Sequence, residues 1–354
     1  MALPPHSRAA CPRPFRLRPD WPETGTSNMN KTVLVTGGAG YIGSHACKTL
    51  AQAGYAPVVY DDLSTGHPEF VKWGPLIVGD VRDRTRLVDV MSLLQPAAVM
   101  HFAAKSLVGE SFQNPDLYHQ VNAGGTTAVV QAMQRTGCES LILSSSCAVY
   151  GNASPAPIAE DQAIDPISPY GASKAAAEQI AFSAYGIRTV ALRYFNAAGG
   201  DPDGEIYEWH EPETHLIPIV LDVAAGTRPE LSIFGVDYPT LDGTAVRDYV
   251  HVLDIADAHV KATRYLGQGG AGLALNLGTA TGHSVLEVVR AAERVTGRRV
   301  RIANTAARPG DPPSLTAAPR KAMETLGWSP RRSTLDNVVA DAWRAYQVPE
   351  TMAA

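Results

Sequence analysis

From residue 32 onward, short apolar runs alternate with longer stretches in which apolar residues recur every three or four positions, so strand and helix units repeat in turn. The runs predict strands at Thr32 to Val35, Ala56 to Tyr60, Leu76 to Val78, Ala98 to Phe102, Ser140 to Leu143 and Thr189 to Arg193, with helices between them. Gly54 and Gly137 stand where the first and fourth helices should stop, because glycine takes the left-handed cap most easily. This alternation predicts an α/β fold, a Rossmann-type doubly wound parallel sheet over residues 30–196. Beyond Asn196 the pattern loosens, which predicts a smaller C-terminal α/β domain built mainly from residues 197–350. Its expected elements are helices at Thr214 to Ala225 and Asp254 to Leu266, a strand at Leu231 to Phe234, and helices after Pro319 and Ser333. The strand at Ala274 to Leu277 is a candidate to return to the main sheet.

Composition narrows the class. With 354 residues, 45% hydrophobic and 18% charged, the chain is long enough for one large or two ordinary globular domains. A formal charge of -5 gives no basic footprint for nucleic acid. A mean hydropathy of -0.08 without a long apolar run gives no membrane span. Cys11, Cys47, Cys138 and Cys147 form no Cys-x-x-Cys pair and the histidines show no ligand spacing, so no metal is expected and a reducing cytoplasm fits best. Residues 1–29, rich in proline and arginine, read as a disordered N-terminal extension or as an upstream start preceding a natural Met29.

Three motifs carry chemistry. Val33-Leu34-Val35-Thr36-Gly37-Gly38-Ala39-Gly40-Tyr41-Ile42-Gly43 runs from a strand into a helix, where glycines let the backbone approach a pyrophosphate facing the helix N-terminus. A lone glycine turn is a weak signal. Here Asp61 ends the second strand eighteen residues after Gly43, placed to take ribose hydroxyls, and no arginine follows it directly, which favours NAD over NADP. Asp80 and Val81, at the end of the third strand, are placed for the adenine edge. Ser144, Ser145 and Ser146 end a strand whose carboxyl edge should face the binding crevice. Tyr170 and Lys174 lie four apart on a helix that Ser168 can cap and Pro169 can open. A phenol ionises near pH ~10, so the lysine ammonium beside it is expected to favour the phenolate needed for proton abstraction, with Ser146 sharing the substrate proton.

In this order, the glycine turn, the Ser144-Ser145-Ser146-Cys147-Ala148-Val149-Tyr150-Gly151 run and Ser168-Pro169-Tyr170-Gly171 resemble the extended short-chain dehydrogenases/reductases. Leu192-Arg193-Tyr194-Phe195-Asn196 and the segment from Asp237 to Tyr249 narrow the resemblance to the UDP-glucose 4-epimerases, over roughly residues 31–347. The resemblance implies Tyr170 as base, Lys174 as its electrostatic and ribose-binding partner, and Ser146 as the partner of the sugar hydroxyl. Around NAD it places Gly37, Gly40, Tyr41, Ile42, Gly43, Asp61, Asp80 and Val81. It adds Phe102, Ala103, Ala104, Lys105, Asn122, Ser144 and Tyr194, with Tyr170 and Lys174. For a UDP-hexose it implies Asn196, Leu216, Phe234, Arg247, Arg308 and Leu315, with Asp311 toward the uridine ribose; guanidinium forks suit a diphosphate. It also implies a homodimer through helices of the first domain.

Two positions depart from the pattern. Lys105 precedes Ser106, where some relatives carry the lysine one position later. Leu315 stands where members restricted to UDP-glucose and UDP-galactose carry tyrosine, which predicts room for UDP-N-acetylhexosamines. The expected activity is epimerisation at C4 by transient oxidation with tightly held NAD. A 4,6-dehydratase places Asp-Glu where this chain has Cys147-Ala148, and a UDP-glucuronate decarboxylase commonly has glutamate nearby. A UDP-pentose 4-epimerase remains a further alternative. A non-catalytic NAD sensor would lack Tyr170 or Lys174. Cys147, with no basic neighbour in sequence, reads as packing, as does His101 inside an apolar strand.

Overall fold

A computed structural model describes residues 31–152, 157–308 and 311–352. The expected extension at 1–29 and Cys11 lie outside these residues. The first half unrolls as β1 (Thr32–Thr36), α1 (Tyr41–Gln52), β2 (Ala56–Asp61), β3 (Leu76–Val78), α2 (Arg84–Leu94) and β4 (Ala98–His101). Then come α3 (Val108–Gln113), α4 (Pro115–Tyr118), α5 (Gly125–Thr136), β5 (Ser140–Ser146), α6 (Pro169–Ser183) and β6 (Arg188–Tyr194). The second half holds β7 (Asn196–Ala198), α7 (Leu216–Ala225), β8 (Leu231–Phe234), β9 (Val246–Arg247), β10 (Tyr249–His251) and α8 (Val252–Gly267). It closes with β11 (Leu273–Leu277), β12 (His283–Ser284), α9 (Val285–Thr296), β13 (Ile302–Thr305), β14 (Ser314–Leu315), α10 (Arg320–Leu326) and α11 (Leu335–Met352).

Seven parallel strands form the main sheet in the order β11-β6-β5-β4-β1-β2-β3. Helices cover both faces, so β1 is buried at every position and reads as an unbroken apolar run rather than an alternating one. One core joins Val33, Val35 and Leu50 to Ile255 and Leu266 of α8; the opposite face packs Leu34, Val58 and Val99 on Val90, Val129 and Met133. A third core, with Ile217, Val220, Val288 and Val338, lies under the smaller layer of α7, α9 and α11. Each buried leucine or valine contributes about 1.5–3 kcal/mol over leaving it exposed.

Strand β11 does return to the main sheet, pairing with β6, and α8 packs on α1, so no single cut separates the two layers. Strand β5 extends three residues past Leu143. Its serines are polar, which ends an apolar run in sequence, yet they pair in register with Leu192, Arg193 and Tyr194 of β6 and are buried. Helix α7 begins at Leu216, two residues later than Thr214. Helix α8 begins at Val252, two residues earlier than Asp254, capped by the His251 ring, which accepts from the Leu253 amide at 3.1 Å.

Candidate active site

The glycine turn closes tightly on itself. Gly37 has φ +73°, and a methyl group there would stand 2.4 Å from the Ala103 nitrogen; at Gly43 it would stand 2.1 Å from the Gly37 oxygen. Gly40 differs, since its added Cβ would meet only the Gly37 oxygen at 3.5 Å. Internal crowding does not require glycine there, which fits an outer face kept bare for a phosphate. Tyr41, Ile42 and Gly43 follow as the first turn of α1, which has no acidic residue and no side-chain cap, leaving its positive end open to an anion. Asp61 accepts from the amides of Ala39 (3.0 Å) and Leu63 (2.9 Å), so the carboxylate is locked beside the turn. Burial raises its pKa and the two amides oppose that. These features fit a dinucleotide. Asp80 has its carboxylate paired with the Arg82 guanidinium and held below the usual range by it. Val81 is buried against Gly125.

Helix α6 opens as its sequence predicts: Ser168 Oγ accepts from the Gly171 amide at 3.1 Å and Pro169 occupies the first turn. Lys174, buried, donates from Nζ to the Ser144 carbonyl oxygen at 2.9 Å. Ser144 Oγ shares a short hydrogen bond with the Tyr194 hydroxyl. Ser146 Oγ accepts from the Ala148 amide at 3.1 Å, fixing the turn at Cys147–Tyr150. Asn122 accepts from the Lys105 amide (2.8 Å), and its Nδ2 donates to the Lys105 carbonyl (3.0 Å) and to Ser173 Oγ (2.8 Å), tying the segment after β4 to α6. That segment contains Phe102, Ala103 and Ala104; the amides of Phe102 and Ala103 both donate to the Thr36 carbonyl.

Burial dominates the electrostatics of the Tyr170 and Lys174 pair. The Tyr170 phenol is pushed up to about 12, chiefly by burial, with Ser146 opposing and Cys147 adding. Lys174 is pushed down to about 8, again by burial, with Glu178 opposing. Desolvation is the largest influence on both groups, and the ammonium is aimed at Ser144. Cys147 is likewise pushed up to about 12 by burial, which suits packing and not a nucleophile. His101 is buried between Thr36 Oγ1 (2.7 Å) and Thr126 Oγ1 (3.1 Å), and burial lowers it to about 3, so it is neutral. Because the Thr126 hydroxyl donates to the Asn122 carbonyl, it accepts from His101 Nε2.

On the other side, Arg247 pairs through Nη2 with Asp311 and lies in register with Leu315 on β14. Leu315 and Cys147 pack on one apolar cluster, which brings this pair toward Ser146. Arg308 stacks its guanidinium 4.0 Å over the Phe234 ring. Asn196 starts β7, its amide donating to the Asp248 carbonyl at 2.9 Å, and Leu216 opens α7. Tyr238 belongs to this group although its role is not legible from local sequence. Its buried hydroxyl has no hydrogen-bond partner among the described residues and feels Asp311, Arg247 and Arg308. The segment from Gly199 to His215 straps across α1: Tyr41 donates to the Gly199 carbonyl (2.7 Å), and Lys48 to Asp201 (2.8 Å), Asp203 (2.6 Å) and Glu205 (2.7 Å). Further along, Glu208, His210, Glu213 and His215 bring one donor atom each within 4.8 Å of one another. Sequence spacing does not reveal this cluster, and its imidazoles and carboxylates already pair with one another.

Residues 33–278 match the NAD dependent epimerase/dehydratase family. The chain belongs to that family. A UDP-glucose 4-epimerase of Rhizobium meliloti is 50% identical over 319 residues, covering 89% of this chain and 97% of its own. Among solved members of the family, the UDP-glucose 4-epimerase of Brucella ovis in complex with NAD superposes with TM-score 0.87 at 51% identity, over 88% of this chain and 97% of that one. The Stenotrophomonas maltophila UDP-glucose-4-epimerase, with bound NAD and formylated UDP-arabinopyranose, gives TM-score 0.88 at 40% identity, over 92% and 100%. The cofactor of this family is NAD.

Proposed function

We infer that the chain is a UDP-glucose 4-epimerase, interconverting UDP-galactose and UDP-glucose with NAD held throughout. The observation that carries this reading is the pairing, in one chain, of the Ser146, Tyr170 and Lys174 set with the Arg247 and Arg308 end that suits a nucleoside diphosphate. Bound NAD supplies a hydride acceptor that returns the same hydride, so no net oxidation results. Tyr170 takes the proton of the sugar 4-hydroxyl and gives it back, Ser146 hydrogen-bonds that oxygen, and Lys174 holds the ribose side of the site. Arg247 and Arg308 grip the diphosphate while the sugar is left free to present either face. Purified protein given UDP-galactose and no added nicotinamide is expected to form UDP-glucose, followed by NMR of the anomeric protons. A 4-keto-6-deoxy product would instead identify a dehydratase, and turnover confined to UDP-pentoses a pentose 4-epimerase.

Leu315 supports a second substrate class. It stands beside Arg247 in the β9–β14 pair, and a leucine is shorter than the tyrosine of restricted members, leaving room at C2 for an acetamido group. UDP-N-acetylgalactosamine is the test; turnover far below that on UDP-galactose rejects it. A homodimer is proposed through the first domain, where α3 exposes Val108 and Phe112 and α6 exposes Phe182. Light scattering at two concentrations checks it. Cys47, Cys138 and Cys147 are free thiols, which supports a reducing cytoplasm, and no helix among the described residues is long and apolar enough to cross a membrane.

A further inference from the structure

We propose that Glu178, gripped by Arg193, is the positioning residue that fixes the register of the catalytic helix against the serine strand. This rests on the epimerase reading above. Glu178 lies one turn beyond Lys174 on the same face of α6, and its side chain is 3% exposed. Its carboxylate accepts from Arg193 Nε (2.8 Å) and Nη2 (2.5 Å) and, through a short bond, from the Ser145 hydroxyl. Arg193 Nη1 donates to the Tyr150 hydroxyl (2.8 Å), which donates in turn to Asn276 Oδ1 (2.8 Å). One carboxylate therefore joins α6, β5, β6, the turn after Ser146 and β11.

The placement of Ser145 gives this network its purpose. On one side Ser144 offers its carbonyl to Lys174; on the other Ser146 stands beside Tyr170. A shift of Glu178 would move all three reacting groups relative to one another. Stability alone does not call for a buried ion pair, because replacing both partners with apolar residues is often neutral or stabilising. The groups facing Lys174 are Glu178 from α6, His101 from β4, and Tyr194 of β6 through Ser144, with Arg193 behind Glu178. Glu178 is the carboxylate among them, so it also helps Lys174 keep its proton.

The test is Glu178→Gln in the NAD-loaded protein beside the double variant E178M/R193M. In E178Q, kcat on UDP-galactose should fall about 10²-fold with KM little changed, and the alkaline limb of the kcat profile should move to lower pH. The double variant should regain wild-type melting temperature yet stay slow. Return of kcat together with melting temperature in the double variant, or a wild-type rate and pH profile in E178Q, overturns the proposal. Should E178Q not fold, Ser145→Ala cuts the link to the serine strand and must slow kcat without changing KM. A wild-type protein inactive on UDP-galactose would reject the epimerase reading by itself. Lysine-selective NMR titration, with Lys174 assigned by its absence in K174M, then decides the positioning question without substrate: E178Q should lower that titration by about one unit, and an unmoved titration rejects it.

Discussion

The Lys174 ammonium is anchored on the main-chain carbonyl of Ser144 at 2.9 Å, which makes the serine strand a fixed reference for the charge one helical turn beyond Tyr170. Burial holds this lysine down to about 8. Below that pH both folded and unfolded chains carry the proton, and the folded state bears the full desolvation penalty. Between about 8 and the ordinary lysine value near ~10.4, the unfolded chain binds more protons, so stability rises with pH through that window. Lys174→Met is therefore expected to stabilise the protein at pH 7 by about 3 kcal/mol, with the gain fading toward pH ~10, while turnover is lost. Melting curves of both proteins across that range check it.

Tyr170→Phe should lower kcat by about 10²–10⁴-fold, the usual worth of a positioned proton-transfer group. Fold and NAD content should survive, because the phenol's one strand neighbour is the Ser146 hydroxyl and it takes no part in the glycine-turn contacts. With its pKa pushed up to about 12, the phenol of NAD-free protein should give no ionisation signal attributable to Tyr170 at neutral pH. An ultraviolet difference titration of wild type against Y170F reads this directly. Loading oxidised NAD, whose nicotinamide carries positive charge, should move that titration downward.

Arg247→Ala is expected to weaken UDP by about 10- to 100-fold, the loss of charge-assisted hydrogen bonds worth about 1.5–3 kcal/mol. It also leaves Asp311 without its cation partner. Retained NAD should be unchanged. Calorimetric titration with UDP, paired with NAD released on denaturation, separates the two.

Asp61→Ala removes the proposed ribose acceptor and the partner of the Ala39 and Leu63 amides together. Retained NAD should drop at least about tenfold, since each charge-assisted bond contributes about 1.5–3 kcal/mol. UDP affinity should change far less. Equal loss of both ligands would mean that Asp61 holds up the fold instead of the cofactor.

Much of the architecture is readable because β1, β2 and β3 are bounded by strong local signals: apolar runs, Gly54, and the turn at Gly37. The end of β5 is not, since three serines look like a solvated turn until β6 lies alongside them. The same limit hides the electrostatics. Four-residue spacing places Lys174 near Tyr170, but only the packed structure shows both desolvated and the ammonium turned to Ser144. Tyr238, the Glu178–Arg193 pair and the Glu208 to His215 cluster all depend on partners or turns that no periodic pattern records.

Lys48 sits on the first helix with its side chain 5% exposed and three carboxylates of the following strap around it. That clasp ties the chain beyond β7 back onto the helix that the glycine turn opens, so the two halves of the molecule are stitched together by charge as well as by the return of β11.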